Sequence, residues 1–375
     1  MNGITRRAFL GGLAAAIPAL EVLEAFAGEI EAEGTEGFRE VDARYYERFP
    51  TGGVQCKVCP INCRLDPGQT CFCRTRKNHG GRLFSHAYGN PCILTLDPVE
   101  KLPLSHFLPG EQTLSLAVGG CNLRCLYCQN WNESQSKPDQ LKNLSVSCEQ
   151  ALDGAAKKKV RTLAYTYTEP VAFYEYARDL AVLGKQRGMK NVFATAGYIN
   201  PDPLRELCQS ADAFAVALKG FDRKFYEKVL GSELAPVLKA LEVIREEKVW
   251  LEIVTLIVPT YNDDEARIRE MVAWIRKHLG AQVPLHFGRF VPEYRLKDLP
   301  RTPVTTLETF RKIGLDAGLE HVYIFNVSPH EGNHTYCAKC GKVVLQRLGF
   351  KTVESHLEKG ACGHCKSPLP GVWET

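Results

Sequence analysis

The chain has 375 residues, 45% of them hydrophobic and 24% charged, with a formal net charge of +4. That length and balance suit one globular catalytic domain with small appended modules, and the mild charge without a long basic run argues against nucleic-acid binding. Fifteen cysteines clustered at short spacings favour metal ligation over a disulfide framework in a chain this long.

The chain opens with Thr5-Arg6-Arg7-Ala8-Phe9-Leu10, a short apolar stretch over 11–20, and Ala25-Phe26-Ala27, which fits a small-x-small cleavage site. Residues 1–27 resemble a twin-arginine export signal, a route that carries folded, cofactor-loaded proteins out of the cytoplasm. The apolar run is too short for a permanent membrane span. A cytoplasmic protein with a disordered or amphipathic N-terminal arm is the competing reading. Residues 28–50 are polar and acidic and read as a linker. A Cys-rich module follows over 51–92, with Cys56, Cys59, Cys63, Cys71 and Cys73. Four thiolates close a site, so the module reads as a structural metal site or an auxiliary cluster, with a disulfide-stapled loop as the rival.

Residues 93–330 carry the central pattern. An apolar run at 114–118 leads into Gly119-Gly120-Cys121-Asn122-Leu123-Arg124-Cys125-Leu126-Tyr127-Cys128. The C-x3-C-x2-C spacing suits a loop around one corner of an iron–sulfur cube, since thiolates are the ligands such clusters prefer. Three thiolates leave the fourth iron open. A zinc loop is disfavoured because structural zinc takes four protein ligands.

Beyond the loop, β-rich runs at 162–166, 191–195, 213–218, 250–256, 285–290 and 322–325 alternate with helical patterns at 151–159, 171–186, 203–210, 237–247 and 264–279. The last helix has an apolar stripe of Ile268, Met271, Val272, Ile275 and Leu279, with Asn262 and Glu265 at capping-box spacing. Strands separated by helices imply α/β architecture with parallel βαβ units. The tail, 331–375, holds Cys337-x2-Cys340 and Cys362-x2-Cys365, a zinc-ribbon-like pair of knuckles. Zinc is the first choice there, and mononuclear iron or a second cluster the alternative.

At the three-cysteine loop the chain resembles the radical S-adenosylmethionine (SAM) superfamily. The run Cys128-Gln129-Asn130-Trp131 is similar to the radical SAM enzymes of the AmmeMemoRadiSam system, relatives of pyruvate formate-lyase activating enzyme. The resemblance implies an incomplete (β/α)6-type radical SAM barrel, open on one side, with chemistry at the C-terminal strand ends. It implies a 4Fe–4S cluster on Cys121, Cys125 and Cys128, with SAM bound at its open iron. Tyr165-Thr166-Tyr167-Thr168-Glu169-Pro170 stands where the activases have Gly-Gly-Glu-Pro. There Glu169 would accept the SAM ammonium, unless it is only a helix N-terminal acid. Ala194-Thr195-Ala196-Gly197-Tyr198 is similar to the family's Thr-Asn-Gly-Tyr, and Ala217-Leu218-Lys219 to its Asp-Leu-Lys. Thr195, Lys219 and Tyr127 are thus cofactor-binding candidates, while Ala196 and Ala217 depart from the pattern. Cys56, Cys59, Cys63 and Cys73 match the family's N-terminal cysteines, and Cys71 is an extra thiol. His286 and Asn326 are strand-end candidates, with a core histidine as the rival reading of the former.

The implied activity is reductive cleavage of SAM to a 5′-deoxyadenosyl radical that abstracts hydrogen from an unknown substrate. It implies a low-potential electron donor and Memo-like and AMMECR-like partner proteins. A glycyl-radical-enzyme activase is one alternative. A non-catalytic iron–sulfur electron carrier is another, though an open iron serves no purpose in simple electron transfer.

Overall fold

A computed structural model describes residues 39–374, so the leader expected over 1–27 lies outside the described residues. At its centre is one eight-stranded sheet whose strands follow chain order. They are β1 (Ile93–Pro98), β2 (Gln112–Ala117), β3 (Thr162–Tyr165), β4 (Lys190–Thr195), β5 (Ala213–Ala217), β6 (Trp250–Ile257), β7 (Leu285–Arg289) and β8 (Val322–Phe325). Strands β2 to β8 run parallel, and β1 pairs antiparallel with β2. Each parallel pair needs a crossover. These are α1 (Cys148–Lys157), α2 (Tyr174–Gln186), α3 (Pro201–Cys208), α4 (Leu234–Glu246), α5 (Glu265–His278) and α6 (Val304–Asp316). Edge strands β1 and β8 do not pair with each other, so the sheet is open.

Alternation along the strands splits the two faces. Leu163, Phe193, Phe214, Ile253 and Phe287 pack into the large cluster shared with the helices. Ala164, Val192, Ala213 and Ala215 point the other way, onto Val99, Leu102, Leu104, Phe107 and Leu108. Segment 99–108 therefore plugs the inner face. Glu252 on β6 fastens it, accepting from the backbone N–H of Ser105 at 2.9 Å and of His106 at 2.8 Å. The same carboxylate accepts from Trp250 Nε1 at 3.0 Å and pairs with His286 Nε2 at 2.7 Å. Burial alone would raise the Glu252 pKa, but His286, His106 and the Ser105 N–H hold it down to about 2. His286 is thus buried in the core and bonded to Glu252.

Three expectations change. The linker read over 28–50 ends before Arg39, because Arg39–Asp42 pairs with Arg82–Tyr88 and Tyr46–Arg48 pairs with Val54–Cys56. Its polar side chains are spent on anchoring: Arg44 and Tyr45 both bond Glu206 on α3, at 2.9 and 2.8 Å. The capping box at Asn262 does not form. Asp264 caps α5 through the N–H of Arg267 at 2.9 Å, and Asn262 instead donates to the carbonyls of Lys219 and Leu256. The tail, finally, is not a separate bead. Its β-strands dock on the plug through Arg347 Nη2 to the Ser105 carbonyl at 2.8 Å, and through paired backbone bonds between Val372 and the stretch His106–Leu108.

Candidate active site

The cluster loop starts where β2 ends. Gly120 has φ +107°, and a Cβ there would lie 2.5 Å from Thr75 Cγ2 and 2.6 Å from the Cys73 carbonyl oxygen. No other residue fits that turn without displacing backbone. Downstream the loop is laced to segment 229–230, with Arg124 N donating to the Leu230 carbonyl at 2.7 Å and Leu126 N to that of Val229 at 3.0 Å. Cys121 Sγ accepts the Leu123 N–H at 3.3 Å, and Cys128 Sγ lies 3.3 Å from Ser134 Oγ.

Cys121, Cys125 and Cys128 line a cavity of about 230 Å³, together with Glu169, Thr195, Ala196, Ala217 and Lys219 from the ends of β3, β4 and β5. Glu169 is buried. Its carboxylate accepts from Thr195 Oγ1 at 2.5 Å and from the Ala196 N–H at 2.8 Å. Burial raises its pKa against those hydrogen bonds. Thr195 also takes the Gly197 N–H at 3.0 Å, so its hydroxyl is engaged in holding Glu169. Lys219 reaches the same cavity with its carbonyl pinned by Asn262 at 2.7 Å. Burial works against its charge, yet Cys125, Cys128, Cys121 and Glu169 raise its pKa overall. Among the described residues its ammonium has no hydrogen-bond acceptor.

Tyr127 does not line the cavity, though its ring lies 5.9 Å from Lys219 Nζ. Its ring stacks near Phe225 at 6.4 Å and meets Phe290 edge-on at 6.5 Å. Its buried hydroxyl has no partner among the described residues. Asn326 is apart from the cavity and donates to the Arg289 carbonyl at 3.2 Å. The cavity wall at Ala196 and Ala217 is apolar where the resemblance leads one to expect Asn and Asp.

Sequence reasoning missed one side of the cavity. Tyr167 sits at φ +60°, a left-handed conformation that costs a non-glycine residue about 1–2 kcal/mol. A glycine would adopt that backbone freely, and here Asn130 Nδ2 clamps the Tyr167 carbonyl at 2.7 Å. Its hydroxyl donates to Asp97 Oδ2 at 2.6 Å and accepts from Lys101 Nζ at 2.7 Å. Lys101, Leu102 and Pro103 of the plug also line the cavity. No local signal marks them, since they reach the site only because β1 folds back antiparallel on β2.

The donor set fits a cationic cluster. Burial pushes all three loop thiols up, Cys125 to about 11. The fold alone does not favour free thiolates, whereas bound metal would ionise them. The tail differs in scale. Cys337, Cys340, Cys362 and Cys365 have all four sulfurs within 4.8 Å of one another, a closeness that no group among the other cysteines reaches in the described residues. The Cys337–Cys365 and Cys340–Cys362 separations are 3.6 and 3.8 Å. The Ser367 N–H and hydroxyl pull Cys365 down to about 6. The N-terminal module also departs from expectation. Cys71 is not apart from its fellows but in side-chain contact with Cys56, Cys63 and Cys73. The Cys71–Arg74 turn, closed by Arg74 N to the Cys71 carbonyl at 2.9 Å, tucks it inward.

Residues 116–272 match the family model for the radical SAM superfamily. The chain is 40% identical over 326 residues to an uncharacterized protein of Methanocaldococcus jannaschii, covering 86% of this chain and 97% of that one. It belongs to the radical SAM superfamily. This radical SAM protein is also 27% identical over 217 residues to the pyruvate formate-lyase-activating enzyme of Clostridium pasteurianum, covering 51% of this chain and 84% of that enzyme. Among solved structures, Streptococcus suis SuiB bound to S-adenosylmethionine aligns with TM-score 0.47 and 13% identity, over 60% of this chain and 52% of that one. Membership implies a 4Fe–4S cluster, SAM and an electron donor. No helix among the described residues is long and apolar enough to cross a membrane.

Proposed function

We propose that the protein binds a 4Fe–4S cluster through Cys121, Cys125 and Cys128 and uses it with SAM to remove hydrogen from a substrate. The observation that carries this reading is one cavity shared by three loop thiols, a buried carboxylate and a lysine ammonium without a hydrogen-bond partner among the described residues. When bound, the cluster and SAM together supply one-electron cleavage of the sulfonium to a 5′-deoxyadenosyl radical. The chain's own residues hold and orient. Glu169, fixed by Thr195 and the Ala196 N–H, would accept the methionyl ammonium, and Lys219 would pair with the carboxylate as a point charge.

Similarity of Cys128-Gln129-Asn130-Trp131 to the AmmeMemoRadiSam enzymes supports a small-molecule substrate and Memo-like partners. The apolar walls at Ala196 and Ala217 fit a pocket that differs from the activases. Activation of a glycyl-radical enzyme is the second reading, favoured by the similarity to the Clostridium enzyme. In the tail, a single zinc ion accounts for the sulfur spacing, because a tetrahedron with Zn–S of about 2.3 Å has edges of ~3.8 Å. The deciding experiment is anaerobic reconstitution followed by assay for 5′-deoxyadenosine. Cleavage in the wild type and none in Cys125→Ala is expected, and a reconstituted cluster that SAM does not perturb overturns the reading.

A further inference from the structure

A group of metal-ligating side chains that contains no cysteine stands on the small N-terminal sheet. Strand Arg39–Asp42 pairs with Arg82–Tyr88, which pairs in turn with Arg76–His79. Asp42 lies opposite Phe84 and Val41 opposite Ser85, yet Arg39 lies opposite Tyr88. The register slips by one in between, so His86 and Ala87 together oppose the single residue Glu40. A bulge of this kind re-aims a side chain out of the regular alternation. Here it gathers Glu40, His79 and His86, which offer one ligand atom each, all within 4.8 Å of one another.

The spacings are those of shared coordination. His86 Nε2 is 3.4 Å from Glu40 Oε1, and His79 Nδ1 is 3.7 Å from Glu40 Oε2. Metal–ligand bonds of about 2.1 Å give tetrahedral edges of ~3.4 Å. Neither contact is a hydrogen bond. The Nε2 atoms of both histidines are buried and have no hydrogen-bond partner among the described residues. Buried polar atoms are nearly always satisfied, and one cation would satisfy two imidazoles and a carboxylate together. That donor set suits zinc and its first-row neighbours.

The surroundings say what else binds. His86 also lines a second cavity of about 160 Å³, with Arg74, Lys77, Lys137 and Asp139. Arg74 Nη1 is likewise buried without an acceptor among the described residues. Three cations against one carboxylate make this pocket positive, and a bare divalent ion beside it would be repelled. An oxyanion removes the conflict, because it pairs with the cations and completes the metal's coordination. Three protein ligands leave a position for it.

We propose that Glu40, His79 and His86 bind a divalent transition-metal ion, and that Arg74, Lys77 and Lys137 hold an anionic oxygen ligand, a carboxylate or a phosphate, in contact with it. Metal and anion then bind cooperatively, and no bond in the chain is made or broken. The site shares no residue with the cavity of the loop thiols.

The full chain, with its iron–sulfur loop and its tail loaded, is saturated with zinc, desalted and analysed for metal. Wild type should keep one zinc more than Glu40→Gln, an isosteric change at an exposed position, and one more than the His79→Gln/His86→Gln double variant. Equal zinc in all three overturns the metal site. Zinc X-ray absorption of the Cys362→Ala chain, which breaks the tail quartet, should show nitrogen or oxygen at about 2.0–2.1 Å, and sulfur alone at about 2.3 Å would overturn it too. Zinc affinity, read by chelator competition, should rise roughly tenfold or more with succinate or with phenyl phosphate, and the one that acts separates carboxylate from phosphate. Lys77→Gln with Lys137→Gln should abolish the rise and keep the zinc. No rise with either anion overturns the anion's part.

Discussion

The Thr195 hydroxyl donates to the Glu169 carboxylate at 2.5 Å, and both line the cavity that holds the loop thiols. The two residues come from the ends of adjacent strands, so the strand register sets the carboxylate's aim. A hydrogen bond to a charged group is worth about 1.5–3 kcal/mol. Thr195→Val should therefore weaken SAM binding roughly tenfold or more without loss of iron. Glu169→Gln should weaken it further. Because burial raises the Glu169 pKa, affinity should fall on acidification at a pH above the usual carboxylate range. SAM titrations of the EPR signal check all three, and equal affinity in Glu169→Gln would remove that carboxylate from the site.

Ser134 sits 3.3 Å from Cys128 Sγ and lines the same cavity. Hydrogen bonds to ligand sulfurs favour the reduced, more negative cluster and so raise its potential. At about 1 kcal/mol for one electron, Ser134→Ala should lower the midpoint potential by ~40 mV. A spectroscopic redox titration reads this directly. An unchanged potential would show that the hydroxyl does not bond the ligand sulfur.

The runs that become β2 to β8 were legible because strands buried on both faces are almost continuously apolar, as in Ala213-Phe214-Ala215-Val216. Strand β1 was not, since Thr95, Asp97 and Pro98 break its pattern and its partner is fixed only by the plug. Helix α6 was passed over although Leu307, Phe310 and Ile313 are spaced as a buried face. The proline-rich approach through Pro300 and Pro303 masked its start. In the site, Glu169 and Lys219 were named through motifs that resemble the family's, and both line the cavity. Asp97 and Lys101 were missed, and Tyr167 was read only as part of its local run, because their association spans 70 positions and depends on tertiary folding alone.

Acid should attack the joint under the cavity first. Glu252 is held down to about 2, so its contribution is present above its unfolded pKa and is lost as pH falls through 2. His106 is pushed down to about 4, mainly by burial. The unfolded chain therefore binds the His106 proton first, and stability declines as pH drops from 6.5 toward 4, by at most about 1.4 kcal/mol per pH unit. His106 faces Glu252, His286, His321, Tyr323 and, more distantly, Arg347, and His321 is driven down as well. His106→Gln should flatten the stability curve in that window relative to wild type, as read by denaturant melts at stepped pH. An unaltered slope would place the acid sensitivity elsewhere.

Metal loss from the tail should be felt in the cavity. The tail's own core is small: Val344, Leu345 and Leu369 with the buried thiols of Cys337 and Cys362. So little apolar area does not hold a module alone, and a metal bound by the four thiols would supply the difference. Yet the module's outgoing bonds end on the plug. Arg347 holds the Ser105 carbonyl at 2.8 Å, and the Pro370 carbonyl meets His106 Nδ1 at 2.6 Å. The plug in turn presents Lys101, Leu102 and Pro103 to the cavity. A chelator should therefore free not only the tail but also segment 99–108, raising amide exchange there, while α5 and β6 stay protected. Cys362→Ala should do the same without chelator, and SAM affinity should drop with it even though no tail residue lines the site. Exchange confined to 331–374 with unchanged SAM affinity would show that the tail is energetically separate from the floor it touches.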